Sequence, residues 1–297
     1  MTSHTNAPLS LHFDALGQRE NPALVLIPGL GSQSISWSLR FCGLLAEAGF
    51  YVLRLDNRDC GLSAKLTDAP TPSLQALFQG QATDIPYNLL DMAADVALTL
   101  DNAGISQAHI IGRSMGGMIA QLFAAQYPQR TASLSVVMSS SGNPALPPAD
   151  SDVMALLMAP KPDPATRTAD YIEQQLSFLQ RIASVDLPFN RQHYVELLQE
   201  TLLRDYSPAG TIRQIAAIAA TGDLRRYLSQ ITAPTLVIHG SADPLFLPQA
   251  GKDIGLNITG STVEIIEGMG HDLPPERETD IAALLLMHLY QAEHSAY

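Results

Sequence analysis

The sequence predicts an α/β protein, a mostly parallel sheet covered on both faces by helices, with a helical insertion between two of its later strands. Three observations carry this. Short apolar runs alternate with amphipathic segments, the order that builds parallel strands joined by crossover helices. One run leads directly into Gly112-Arg113-Ser114-Met115-Gly116, a serine between two glycines at a strand-to-helix turn. The alternation then stops between Asn143 and Thr232 and resumes at once afterwards.

Taken in order, Leu9–Phe13 alternates and reads as an edge hairpin. Leu24–Ile27 is a buried strand ended by Pro28-Gly29-Leu30-Gly31. Trp37–Gly49 carries apolar residues at helical spacing and closes on glycine, a C-cap signal. Tyr51–Leu55 is the next strand, followed by Asp56-Asn57-Arg58-Asp59-Cys60-Gly61. In Leu89–Ala103, Leu90, Ala93, Ala94, Ala97 and Leu100 share one helical face, and Gly104 ends the helix. Ala108–Ile111 is a strand and Gly117–Phe123 a helix; Leu134–Met138, Thr235–Gly240 and Thr262–Ile266 are further strands, and Thr279–Glu293 is a last helix. No internal repeat is visible.

The insertion has no strand pattern. Pro147-Pro148 and Pro160–Pro164 read as linkers, and Tyr171–Ser184, Arg191–Leu203 and Thr211–Ala220 as helices. A helical segment between two sheet strands reads as a lid over the strand ends. The expected organisation is a core of residues 1–142 and 233–297 and a cap of residues 143–232.

With 46% hydrophobic and 15% charged residues in a chain of 297, the composition is that of a globule with a sizeable core. The balance of 17 basic against 29 acidic residues gives −12 with no basic cluster, which disfavours nucleic acid or an anionic membrane as partner. The N-terminus lacks the charged and apolar regions of a signal peptide, and no apolar stretch reaches the ~20 residues of a membrane span. Cys42 and Cys60 have neither metal-ligand nor disulfide spacing. A cytoplasmic location with two free thiols is the expectation; the oligomeric state is left open, a homodimer included.

The five-residue serine pattern is weak alone, but the strand before it and the helix after it make it a nucleophile elbow, a turn that pushes a serine oxygen outward. A serine hydroxyl needs a base, normally histidine, and the base needs an orienting carboxylate. Of eight histidines, only His271, in Gly268-Met269-Gly270-His271-Asp272, sits on a loop just past a strand end. Asp243 holds the equivalent position after Thr235–Gly240; Asp272 and Asp223 are weaker substitutes. An oxyanion needs two preorganised N–H donors. Met115, at the start of the elbow helix, is one; Leu30 is the second, with Gly31 as alternative. Trp37 either lines the pocket or packs its helix.

Together Pro28–Gly31, Asp56–Ser63, Gly112–Gly117, His239–Asp243 and Gly268–Asp272 resemble the α/β-hydrolase superfamily, in particular its cap-bearing esterase branch similar to aclacinomycin-methylesterase-like proteins. The resemblance covers residues ~9–290. It implies an eight-stranded sheet, a helical cap, and Ser114, Asp243 and His271 as a triad. It further implies that the Asp56–Ser63 loop is structural, bracing the nucleophile loop, although Cys60 stands where a small polar residue is usual. The favoured function is cofactor-free, metal-free hydrolysis of small to medium carboxylic esters through an acyl-enzyme. The competing readings are a cofactor-free perhydrolase or haloperoxidase, a carbon–carbon bond hydrolase, and a ligand-binding receptor with a vestigial site.

Overall fold

The computed structural model describes residues 7–81 and 84–295, so the terminal stretch read above for targeting signals lies largely outside the described residues. The apolar runs of the central sheet form strands because they are buried from both sides. Leu24, Val25, Leu26 and Ile27 are all fully buried, which a continuous apolar run permits and an alternating one does not. In chain order the first half holds β1 (Phe13–Leu16), β2 (Ala23–Ile27), α1 (Leu39–Glu47), β3 (Tyr51–Leu55), α2 (Leu74–Phe78) and α3 (Leu89–Ala103). Then follow β4 (Ala108–Arg113), α4 (Met115–Gln126) and β5 (Thr131–Val137). After the insertion come β6 (Thr235–Gly240), α10 (Pro248–Asn257), β7 (Thr262–Ile266) and α11 (Glu278–Ser295).

The strand order is β1-β3-β2-β4-β5-β6-β7, parallel except for β1, which runs antiparallel to β3. Alternate residues of each strand feed different layers. Val25 and Ile27 belong to the layer that also holds α3, α4 and α10, whereas Leu24 and Leu26 belong to the layer of α1 and α11. Helix boundaries follow local chemistry. Asn88 accepts from the Leu90 and Asp91 amides while Asp91 returns a bond to the Asn88 N–H, a capping box; Gly104 ends α3 at φ 71°.

Seven strands pair among the described residues, against the eight implied by the resemblance. The expected hairpin at Leu9–Phe13 supplies none of its own, because its donors are used elsewhere. Leu9 N–H binds Asp95 Oδ1, Leu11 N–H binds Thr99 Oγ1 and His12 N–H binds Ser63 Oγ. Strand pairing starts only at Phe13, opposite Leu55.

Between β5 and β6 lie α5 (Ser151–Met158), α6 (Thr168–Ile182), α7 (Arg191–Arg204), α8 (Pro208–Thr221) and α9 (Arg225–Leu228). Tyr171, Ile172 and Leu176 of α6 form a separate small core with Tyr194 of α7. Leu224 and Leu228 join the main core instead. Ionic contacts fasten the insertion to the loop after β3: Arg204 reaches Asp56 at 2.8 Å, and Arg213 grips Asp59 through Nε and Nη2 at 2.8 and 2.6 Å. That loop is itself anchored by the fully buried Arg58–Asp95 pair. Asn57 Nδ2 donates to Pro28 O at 3.0 Å, bracing the turn after β2.

Candidate active site

β4 delivers Ser114 to the C-terminal edge of the sheet at φ 54° and ψ −125°, a conformation that costs a non-glycine residue about 1–3 kcal/mol. The turn is tight enough that only glycine fits on either side. A Cβ at Gly112 would lie 2.1 Å from Gly116 O, and one at Gly116 would lie 2.2 Å from Ile27 O.

Three residues from three loops converge here. His271 Nε2 lies 3.0 Å from Ser114 Oγ, and His271 Nδ1 lies 2.7 Å from Asp243 Oδ2. These partners fix the tautomer: Nδ1–H donates to the carboxylate, leaving Nε2 as acceptor for the serine hydroxyl. Asp243 Oδ1 accepts the Leu245 and Phe246 amides, both at 2.9 Å. The residue therefore closes the turn before Pro244 with one oxygen and orients a histidine with the other. Phe246 packs edge-on against the His271 ring, centroids 5.5 Å apart.

His239, on β6, lies 3.5 Å from Asp243 Oδ2, yet its Nε2–H donates to Phe246 O at 2.7 Å. Its Nδ1 is buried without a partner among the described residues, and burial pushes its pKa down. A neutral His239 leaves the charge of Asp243 to His271. The strand run containing His239 gave no sign of this second imidazole beside the carboxylate.

Among described residues, the N–H groups of Leu30 and Met115 have no protein acceptor. The N–H of Gly31, the alternative donor, is bound by Gln214 Oε1 of α8 at 2.9 Å. Gln214 also donates to Arg58 O at 2.8 Å, so one α8 side chain joins the turn after β2 to the loop after β3. Its separation from both loops left no local pattern from which to predict it.

Neither substitute acid faces His271 Nδ1. Asp272 accepts from Ser184 and Tyr194, while Asp223 pairs with Arg225. Trp37 is wholly buried and stacks on Phe41 at 5.4 Å, so it packs the α1 layer. The Arg113 guanidinium lies over the Trp37 ring at 5.1 Å, and burial lowers its pKa to about 10. Cys60 directs its thiol toward Ser32 O at 3.4 Å, and burial pushes its pKa up to about 12.

The arrangement can move a proton from a serine hydroxyl to an imidazole held by a buried carboxylate, beside two free amide donors. The sequence pattern of the alpha/beta hydrolase fold family matches residues 22–278. Rhodomycin D methylesterase of Streptomyces peucetius is 26% identical over 310 aligned positions, covering 96% of either chain. A 2-hydroxy-6-oxononadienedioate/2-hydroxy-6-oxononatrienedioate hydrolase of Burkholderia vietnamiensis is 28% identical, over 89% of this chain and 85% of that one. The crystal structure of the enol-lactonase from Burkholderia xenovorans superposes with a TM-score of 0.72, covering 94% of this chain and 96% of that one; at 22% identity the likeness speaks for the fold alone.

Proposed function

The chain belongs to the α/β-hydrolase fold family, and from that premise we propose that it is a serine hydrolase of small to medium carboxylic esters with Ser114, His271 and Asp243 as its catalytic residues. The observation that carries the reading is the unbroken line from Asp243 Oδ2 through His271 to Ser114 Oγ, at 2.7 and 3.0 Å. His271 Nε2 takes the hydroxyl proton as Ser114 Oγ attacks the ester carbonyl. The Leu30 and Met115 amides receive the oxyanion; one such donor is worth roughly 3 kcal/mol in the transition state. Collapse expels the alcohol, which takes the proton from His271. Water then attacks the acyl-enzyme, giving its proton to the same nitrogen, which passes it to Ser114 Oγ as the acid leaves.

Residues 143–232 act in this reading as a cap that restricts the site to small molecules. Leu30 and Phe246, half-buried against the core, are apolar residues beside the site, Phe246 edge-on to His271. No helix among the described residues is long and apolar enough to cross a membrane. The relative named as a dienedioate hydrolase supports carbon–carbon cleavage as a second reading, since the same serine and base would serve it.

The test is initial-rate hydrolysis of p-nitrophenyl acetate, butyrate, octanoate and palmitate by wild type and Ser114→Ala. Turnover of the short esters, reduced at least ~10³-fold in the variant, is expected. Absence of serine-dependent turnover on every chain length would overturn the ester reading and direct assays to vinylogous diketones.

A further inference from the structure

The loop that carries His271 is held from two sides. On the β6 side, Ala242 N–H donates to Met269 O at 3.0 Å and Gly268 N–H donates to Ser241 Oγ at 2.9 Å. On the other side runs the stretch of the insertion that leaves α6. Val185 N–H donates to Gly268 O at 2.8 Å, and His271 N–H donates to Ile182 O at 2.7 Å. Ser184 Oγ accepts from Gly270 N–H at 3.1 Å and donates to Asp272 Oδ1 at 2.7 Å. The Ser184 N–H reaches the same oxygen at 2.9 Å, and Tyr194 OH of α7 donates to Asp272 Oδ2 at 3.0 Å.

The division of labour is sharp. Apart from the side-chain bond from His271 Nδ1 to Asp243, the bonds on the β6 side end at Met269, and the backbone amides of Gly270 and His271 are held by the insertion. Both carboxylate oxygens of Asp272 are likewise spent on insertion residues. The contact is close: a Cβ at Gly270 would lie 2.3 Å from Ile182 O. Ser184, Tyr194 and Asp272 are all buried, so these bonds do not exchange freely with water.

We propose that Asp272, clasped by Ser184 and Tyr194, is a positioning residue for His271, so that the insertion sets the alignment of the base with Ser114. The proposal rests on the serine-hydrolase reading above. Loss of the Asp272 carboxylate removes both bonds it makes to Ser184, next to the turn whose Ile182 carbonyl accepts the His271 amide, and so loosens that acceptor. The affected quantity is the 3.0 Å approach of Nε2 to Ser114 Oγ. A displacement of about 1 Å at such a contact is sufficient for ~10²-fold in rate.

The experiment compares wild type with Asp272→Ala, Asp272→Asn, Ser184→Ala and Tyr194→Phe. Three readouts are taken: kcat and KM on p-nitrophenyl butyrate, the rate at which a fluorophosphonate labels Ser114, and the downfield proton resonance of His271 Nδ1–H. Asp272→Ala is expected to lower kcat and the labelling rate in parallel by ~10²-fold, with KM within about threefold and the resonance shifted or broadened. Asp272→Asn, which keeps an oxygen for Ser184, recovers most of the loss. A folded Asp272→Ala with wild-type kcat, labelling and resonance overturns the proposal. If that variant does not fold, Ser184→Ala and Tyr194→Phe decide: a lower labelling rate with a shifted resonance supports it, and wild-type values in both overturn it. A wild type that labels at Ser114 but cleaves no ester sinks the ester reading alone, and positioning is then judged on labelling and resonance.

Discussion

Asp243→Asn is a near-isosteric change whose outcome is decided by two backbone amides. Leu245 N–H and Phe246 N–H both point at Oδ1 from 2.9 Å. An asparagine must place its carbonyl oxygen there, since its NH2 would face two donors. The NH2 is then forced into the position of Oδ2, 2.7 Å from His271 Nδ1. An amide that donates to Nδ1 drives the imidazole proton onto Nε2, the atom facing Ser114 Oγ at 3.0 Å. The base is then blocked with its geometry intact. Where a serine–histidine pair loses its orienting carboxylate in this way, kcat falls by ~10⁴. At about 1.36 kcal/mol per decade this is roughly 5.5 kcal/mol of transition-state stabilisation. The assay is kcat on p-nitrophenyl butyrate near neutral pH, with a thermal melt to show that the variant is folded. A folded Asp243→Asn losing less than about tenfold would refute the chain of reasoning from amide to tautomer to rate.

Two other outcomes follow from the packing. Arg213→Met removes the cation that grips Asp59, leaving a fully buried carboxylate with only Tyr87 OH and Leu66 N–H, both at 2.8 Å. Unfolding in urea is expected to show a loss of about 3–5 kcal/mol, part of it recovered when Asp59→Asn is added; a loss under ~1 kcal/mol would contradict the buried pair. Acidification acts through His109, His239 and His288, whose pKa values burial pushes below the ordinary 6.5. The folded state then binds fewer protons than the unfolded one, so this stability is present above about pH 6.5 and is lost as pH falls toward the depressed values. Tm should drop between about pH 7 and pH 5 in dilute buffer, and a flat profile would show that these imidazoles do not titrate on unfolding.

The core was legible because parallel strands buried on both faces are written as unbroken apolar runs. Tyr51–Leu55 and Thr235–Gly240 occupy the expected positions, as does the partly exposed edge strand Thr262–Ile266, and α3 runs over the expected Leu89–Ala103. β5 begins at Thr131, ahead of the expected Leu134, because the polar Thr131 and Ser133 interrupt the apolar run; both are buried, and Ser133 Oγ is matched to His109 Nδ1 at 2.8 Å. The convergence of Ser114, Asp243 and His271 could be anticipated since each sits where a strand ends. The supports of the site could not. Gln214 on Gly31, Arg213 on Asp59 and Tyr194 on Asp272 join residues 183, 154 and 78 positions apart, by side chains whose local sequence favours nothing but helix or loop. Proximity of that kind exists only after the insertion has folded onto the sheet.

The attachment of the insertion carries a consequence for engineering. A designer who treats residues 143–232 as an exchangeable module, replacing them by a helical segment from another hydrolase, would discard Arg213, Gln214 and Ser184 in a single cut. Asp59 would lose its counterion, the turn after β2 its Gly31 anchor, and the His271 loop its outer wall. A transplant that leaves the elbow serine untouched would still inherit a chassis with its fasteners missing. Productive chimeras must either carry those three side chains across or redesign Asp59, Gly31 and Asp272 as partners of the incoming segment.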